Sequence, residues 1–71
     1  MDTLIFKTNI DSDNDFRRVK TALSEKNQIE ECTIDLNDAD KVLRVLSDSL
    51  TINEVETAVS DMGFYCKELE D

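Results

Sequence analysis

The spacing of apolar side chains along this chain switches repeatedly between every second residue and every third or fourth, and that succession constrains the fold most. Leu4, Phe6 and Thr8 alternate with Ile5 and Lys7, and β-branched and aromatic residues of this kind suit a pleated surface, so a strand is predicted over residues 3–8. Phe16, Val19, Ala22 and Leu23 then recur at the spacing of an amphipathic helix, predicted to start at Ser12 and to stop near residues 26–27. Ser12 followed three residues later by Asp15 resembles a capping box with Asp in place of Glu. Acidic residues in the first turn also suit the helix dipole.

Period two returns over residues 30–36, with Cys32, Ile34 and Leu36 on one side and Glu31, Thr33 and Asp35 on the other. Asn37, Asp38, Ala39 and Asp40 have turn-forming composition, so residues 41–46 are expected to return as an antiparallel strand with Leu43 and Val45 inward and Arg44 outward. Thr51 and Glu54 form a capping box ahead of Ile52, Val55, Ala58, Val59 and Met62, again at helical spacing. Gly63 stands just past that stripe, where a helix end commonly needs a left-handed residue, and residues 64–67 read as a short final strand. The order β-α-β-β-α-β is the split βαβ plan of the ferredoxin-like sandwich. The expected fold is therefore α+β, with two helices on one face of a four-stranded antiparallel sheet.

With 71 residues the chain has room for one domain, taken as residues 1–71, because a chain of this size buries only ~60% of its unfolded surface. Its 17 acidic and 8 basic side chains give a net charge of -9, so nucleic acid and anionic membranes are not expected partners. The absence of histidine removes imidazole metal sites and Ser-His or Cys-His nucleophiles together. One glycine cannot make a phosphate-cradling loop, and a small two-layer sandwich offers little cavity for acid/base work, so no enzyme activity is expected. No basic region followed by an apolar stretch opens the chain, and no apolar run approaches the ~20 residues of a membrane span. A cytoplasmic, monomeric protein with two reduced cysteines is the expectation.

Several local features together resemble the heavy-metal-associated domain of copper metallochaperones and metal-transporting P-type ATPases, from about Thr3 to Lys67. They are residues 6–10 (Phe-Lys-Thr-Asn-Ile), Val19 with Ala22 and Leu23, and the central hairpin from Cys32 to Leu43. The stretch Ile52-Asn53-Glu54-Val55, Ala58-Val59 and Met62-Gly63-Phe64 completes the set and carries the most specificity. In that family the loop after the first strand carries Met-x-Cys-x-x-Cys, whose thiolates at a helix N-terminus hold a soft ion. The resemblance places Ile10 at the Met position, Ser12 at the first Cys and Asp15 at the second. It thus implies the family's frame without its thiolates. Cys32 and Cys66 fall on the second and fourth strands, which the resembling fold puts at opposite edges of the sheet, so neither a substitute site nor a disulfide is expected.

Asp11, Asp13 and Asp15 could converge on a hard divalent cation, or they could simply cap and polarise the first helix turn. The EF-hand pattern fails, because Phe16 and Ala22 stand where it needs Gly and Glu. No cofactor is expected beyond a weakly held divalent ion. Arg17, Arg18 and Lys20 form a basic cluster, read either as a solvated face or, as the family resemblance implies, as a surface docking a protein partner beside the loop. Phe64 occupies the family's aromatic position near that loop, and Tyr65 is expected to face outward. The leading expectation is a non-catalytic protein-interaction module; the alternative is a metal-handling domain with a hard cation at the acidic loop.

Overall fold

The structure is a computed structural model and describes residues 2–26 and 29–69. Six elements follow in the predicted order: β1 (Asp2–Thr8), α1 (Asp13–Lys26), β2 (Glu31–Asp35), β3 (Val42–Ser47), α2 (Ile52–Asp61) and β4 (Cys66–Glu68). The sheet is antiparallel throughout, with strand order β2-β3-β1-β4. The chain therefore has the ferredoxin-like fold, with Cys32 and Cys66 on opposite edge strands as free thiols.

The core lies between sheet and helices and is assembled from the inward half of each periodic stretch. Phe6, Leu43 and Val45 from the sheet meet Val19 and Leu23 of α1 and Val55 and Val59 of α2, all essentially inaccessible to solvent. Burying side chains of this size contributes about 1.5–3 kcal/mol each, which is why the alternation in β1 and β3 holds its register. Arg44, between Leu43 and Val45, is exposed as expected.

The element ends have identifiable causes. Thr51 caps α2 with a complete capping box: its Oγ1 accepts from the Glu54 N–H at 3.2 Å, and the Glu54 carboxylate accepts from the Thr51 N–H at 3.2 Å. At the other end the Gly63 N–H donates to the Ser60 carbonyl at 2.9 Å and the Phe64 N–H to the Val59 carbonyl at 3.3 Å, a Schellman motif with Gly63 at φ 92°. Two predicted strand starts shift for related reasons. Lys41 adopts φ 45° and donates its N–H to the Asp38 carbonyl, so β3 starts at Val42. Phe64 and Tyr65 complete the turn, so β4 starts at Cys66, opposite Thr8, and not at residue 64. The predicted stop of α1 reaches Asn27, which lies outside the described residues; Lys26 is the last helical one described.

The outer edge of β4 is partly satisfied from α2, because the Glu56 carboxylate accepts from the Glu68 N–H at 2.9 Å. Among the described residues no helix is long and apolar enough to cross a membrane.

Candidate functional site at the loop end of the sheet

Three connections meet at one end of the sheet: the β1–α1 loop, the β2–β3 turn and the α2–β4 turn. Thr8 is their hub. Its N–H donates to the Asp40 carbonyl at 3.0 Å, its hydroxyl donates to the Lys41 carbonyl at 2.6 Å, and the same oxygen accepts from the Ile10 N–H at 3.2 Å. Thr8 is only 4% exposed, so these bonds satisfy groups with little access to water. Asn9 then ties the loop to the third connection, its Oδ1 accepting from the Tyr65 N–H at 2.8 Å. The β2–β3 turn is braced by two Asx turns, Asp35 to the Asn37 N–H and Asp38 to the Asp40 N–H, and by the Lys41 ammonium, which donates to the Leu36 carbonyl at 2.8 Å.

On this platform Ile10 is fully buried in the core. Ser12 is half-buried and caps α1: its Oγ accepts from the Asp15 N–H at 3.1 Å. The Asp15 carboxylate points the other way along the helix, 3.8 Å from Arg18, and Asp13 lies 3.1 Å from Arg17. Asp11 is exposed in the loop. Among the described residues no three Asp, Glu or Cys side chains stand where they could hold one ion between them. The three predicted loop acids are therefore neighbours in sequence that the structure does not gather into a cluster.

Arg17 and Arg18 are exposed on α1, each beside an acid of the first turn, and Lys20 is exposed further along. Both arginines line a shallow depression of about 410 Å³ between the helices, with Asn14, Thr21, Ala22, Glu25 and Met62. Phe64 packs against the core and Tyr65 is half exposed at the loop end. Thr8, Asn9 and Lys41 build this end, and the sequence reading placed them in the first strand, the loop entry and the hairpin without a role at the site. Thr8 had a usable signal, because the alternation of β1 places a β-branched hydroxyl on the buried face.

Neither thiol is poised for nucleophilic attack. Burial pushes the Cys32 thiol up to about 11, against a smaller downward pull from Lys20. Cys66 is pushed up to about 12, by burial first and then by the Glu56 carboxylate beside it. A thiol this hard to deprotonate is a poor nucleophile near neutral pH.

No protein-family model matches the chain, and no curated protein matches it. Among solved structures it is similar to the yeast copper transporter domain Ccc2a, studied in solution in the apo and Cu(I)-loaded states. One such structure is 21% identical with a TM-score of 0.81, the alignment covering 97% of this chain and 96% of that one. Another is 20% identical, again with a TM-score of 0.81, covering 100% and 99% of the two chains. Across essentially its whole length this chain shares the fold of that copper transporter domain.

Proposed function

We propose that this domain is a non-catalytic protein-interaction module built on a heavy-metal-associated frame, in which the loop after β1 serves as a helix cap in place of a thiolate site. One observation carries the reading. At the two positions assigned to thiolates, the Ser12 hydroxyl accepts the Asp15 N–H and the Asp15 carboxylate faces Arg18, so both polar groups are engaged in starting α1. The contact surface in this reading is the loop end with Phe64 and the exposed face of α1 carrying Arg17, Arg18 and Lys20. Two free cysteines accord with a reducing, cytoplasmic setting.

Titration with Cu(I) in reducing buffer against a competing chelator tests the first half. The expected outcome is no retained copper; stoichiometric copper that resists the chelator would refute the reading. Arg17→Glu combined with Arg18→Glu tests the second half, and should abolish recovery of a crosslinked partner while leaving the amide spectrum folded.

A hard divalent cation at Asp11, Asp13 and Asp15 is the second reading. Asp11 lies exposed beside the helix start and outside both ion pairs, whereas Asp13 and Asp15 stand beside Arg17 and Arg18, so a bound cation would have to displace those arginines and draw the three acids together. Titration with Ca²⁺, Mg²⁺ and Zn²⁺ separates the two. Shifts confined to the amides of residues 11–16 would establish the cation site, and a flat response at millimolar metal would remove it.

A further inference from the structure

At the outer edge of β4 a side chain stands where a fifth strand would otherwise bond. Leu69 donates its N–H to the Ile5 carbonyl at 2.9 Å, and Tyr65 donates its N–H to the Asn9 side chain at 2.8 Å. Odd-numbered residues of this segment thus turn their N–H groups toward β1 and its loop. Cys66 and Glu68, paired with Thr8 and Phe6, turn theirs outward, because the bonding direction alternates along an antiparallel ladder. The Glu68 N–H does so and donates at 2.9 Å to Oε2 of Glu56 on α2. A carboxylate oxygen therefore occupies the place of a neighbouring strand's carbonyl, on an edge strand only three residues long.

The two faces of this edge differ in the sign of their charge. Cys66 and Glu68 share the helix side with their buried partners Thr8 and Phe6. There a depression of about 310 Å³ between α2 and β4 is lined by Glu56, Thr57, Ser60, Asp61 and Cys66. The sequence has no Lys or Arg between Arg44 and Lys67, so α2 and its flanking turns supply no cation to offset Glu56, Asp61 and Glu68. The ion pairs among the described residues leave these three acids out. Lys67 lies on the open face of the sheet, turned away from the helices, directly opposite Lys7, a like-charge pairing that is destabilising. Asp40 lies 3.4 Å from Lys7 and offsets that member of the pair.

Those charges select among occupants. Among the described residues no three acids stand where they could share one metal ion, so the carboxylates suit separate cations spaced along a chain. A second copy joined symmetrically through β4 would set Glu68 against Glu68. A copy joined through its β2 edge would bring Cys32 and Ile34 to the acidic side, since those residues face the helices. Neither copy supplies a cation, and two chains of net charge -9 repel. We propose that the outer edge of β4 adds an extended segment of a partner protein as a fifth strand, with Lys or Arg on the helix side of that segment and Asp or Glu between them, opposite Lys67. The arriving strand's carbonyl takes over the Glu68 N–H, and the Glu56 carboxylate released from it pairs with the arriving cation.

The test uses the whole chain and a fluorescein-labelled peptide with the core Val-Lys-Glu-Lys-Val, followed by anisotropy in about 0.15 M salt. There the Debye length of ~8 Å screens the long-range attraction of the net charge but not contacts at the edge. Saturable binding is expected, with amide shifts centred on Glu56, Cys66 and Glu68. Glu56→Gln keeps an acceptor for the Glu68 N–H, so Glu56→Gln with Asp61→Asn should leave the fold intact and weaken binding about threefold or more. Replacing the peptide's Glu by Lys should weaken binding to wild type by a similar factor, although that peptide is more positive, and Lys67→Glu should reverse the preference. Arg17→Glu with Arg18→Glu should change neither result. The proposal is overturned by absence of saturation at millimolar protein, by shifts that map to α1 or β2, or by a more positive peptide that binds wild type as well or better. Sedimentation as a dimer that the peptide disperses would likewise overturn it.

Discussion

Removing the Thr8 hydroxyl while keeping the side chain's shape tests whether this one group holds the loop end together. In Thr8→Val the hydrogen bonds to the Lys41 carbonyl (2.6 Å) and from the Ile10 N–H (3.2 Å) both disappear, and the valine methyl occupies the space of the oxygen. The Ile10 N–H is buried, so leaving it unpaired costs about 1–3 kcal/mol; the Lys41 carbonyl is only partly buried, so its loss is the ordinary net value of about 0.5–1.5 kcal/mol. The sum is roughly 2–4 kcal/mol, against a total of roughly 4–10 kcal/mol for a domain of this length. Thr8→Ser is the control: it keeps the hydroxyl and loses one buried methyl, about 1 kcal/mol. With a urea slope near ~1 kcal/mol/M, the midpoint should fall by ~2–4 M for valine and ~1 M for serine. Amide exchange at Ile10 should accelerate in the valine variant before global unfolding. If valine is as stable as serine, or more so, Thr8 contributes by packing and the hub assignment is wrong.

Gly63→Ala meets open space at the Cβ but must hold φ 92°, so a loss of about 1–2 kcal/mol is expected from backbone strain, read as a fall in melting temperature. Thr51→Ala removes the acceptor for the Glu54 N–H and should cost about 1 kcal/mol, with the chemical-shift change centred on the first turn of α2. Ellman's reagent should find two thiols in denaturant and react far more slowly with the native protein near pH 8 than with a free cysteine; no thiol in denaturant would show a disulfide. Burial raises both thiols above the ordinary cysteine range, so the folded state holds their protons longer than the unfolded chain does. Their contribution is complete below about pH 9 and is lost as pH rises toward 11–12, and wild type should lose more stability over that window than Cys32→Ala with Cys66→Ser.

The alternation of Phe6 with Lys7 and of Leu43 with Arg44 made the sheet legible because one face is buried and period two leaves no other register. Capping was legible too, since Thr51 and Glu54 are three residues apart and a capping box is wholly local. What escaped depends on backbone conformations that residue type does not announce. Lys41 at φ 45° is a lysine in a region that favours glycine, and it delays β3 by one residue. Val42 is 7% exposed although it lies on the open face, where its row places it between Asp35 and Lys7; long charged side chains lay apolar stems over such positions. At the candidate site, the spacings of Asp13 with Arg17 and Asp15 with Arg18 were readable as helix pairs. The bond from the Tyr65 N–H to Asn9 joins residues 56 apart and has no local signal.

Those helix pairs change how the basic residues compare as contact surfaces. Arg17 and Arg18 each sit beside an acid one turn away, so a partner meets four charges that nearly cancel, and an exposed pair of this kind contributes about 0–1 kcal/mol by itself. Docking at α1 therefore has to exchange existing partners, and its dependence on salt should be shallow. On the sheet face turned away from the helices Arg44 stands a diagonal step from Glu31 and Asp35 of β2 as well as from Lys7, and Asp40 lies 3.4 Å from Lys7, so the charges there nearly cancel too, although Lys67 faces Lys7 across the ladder.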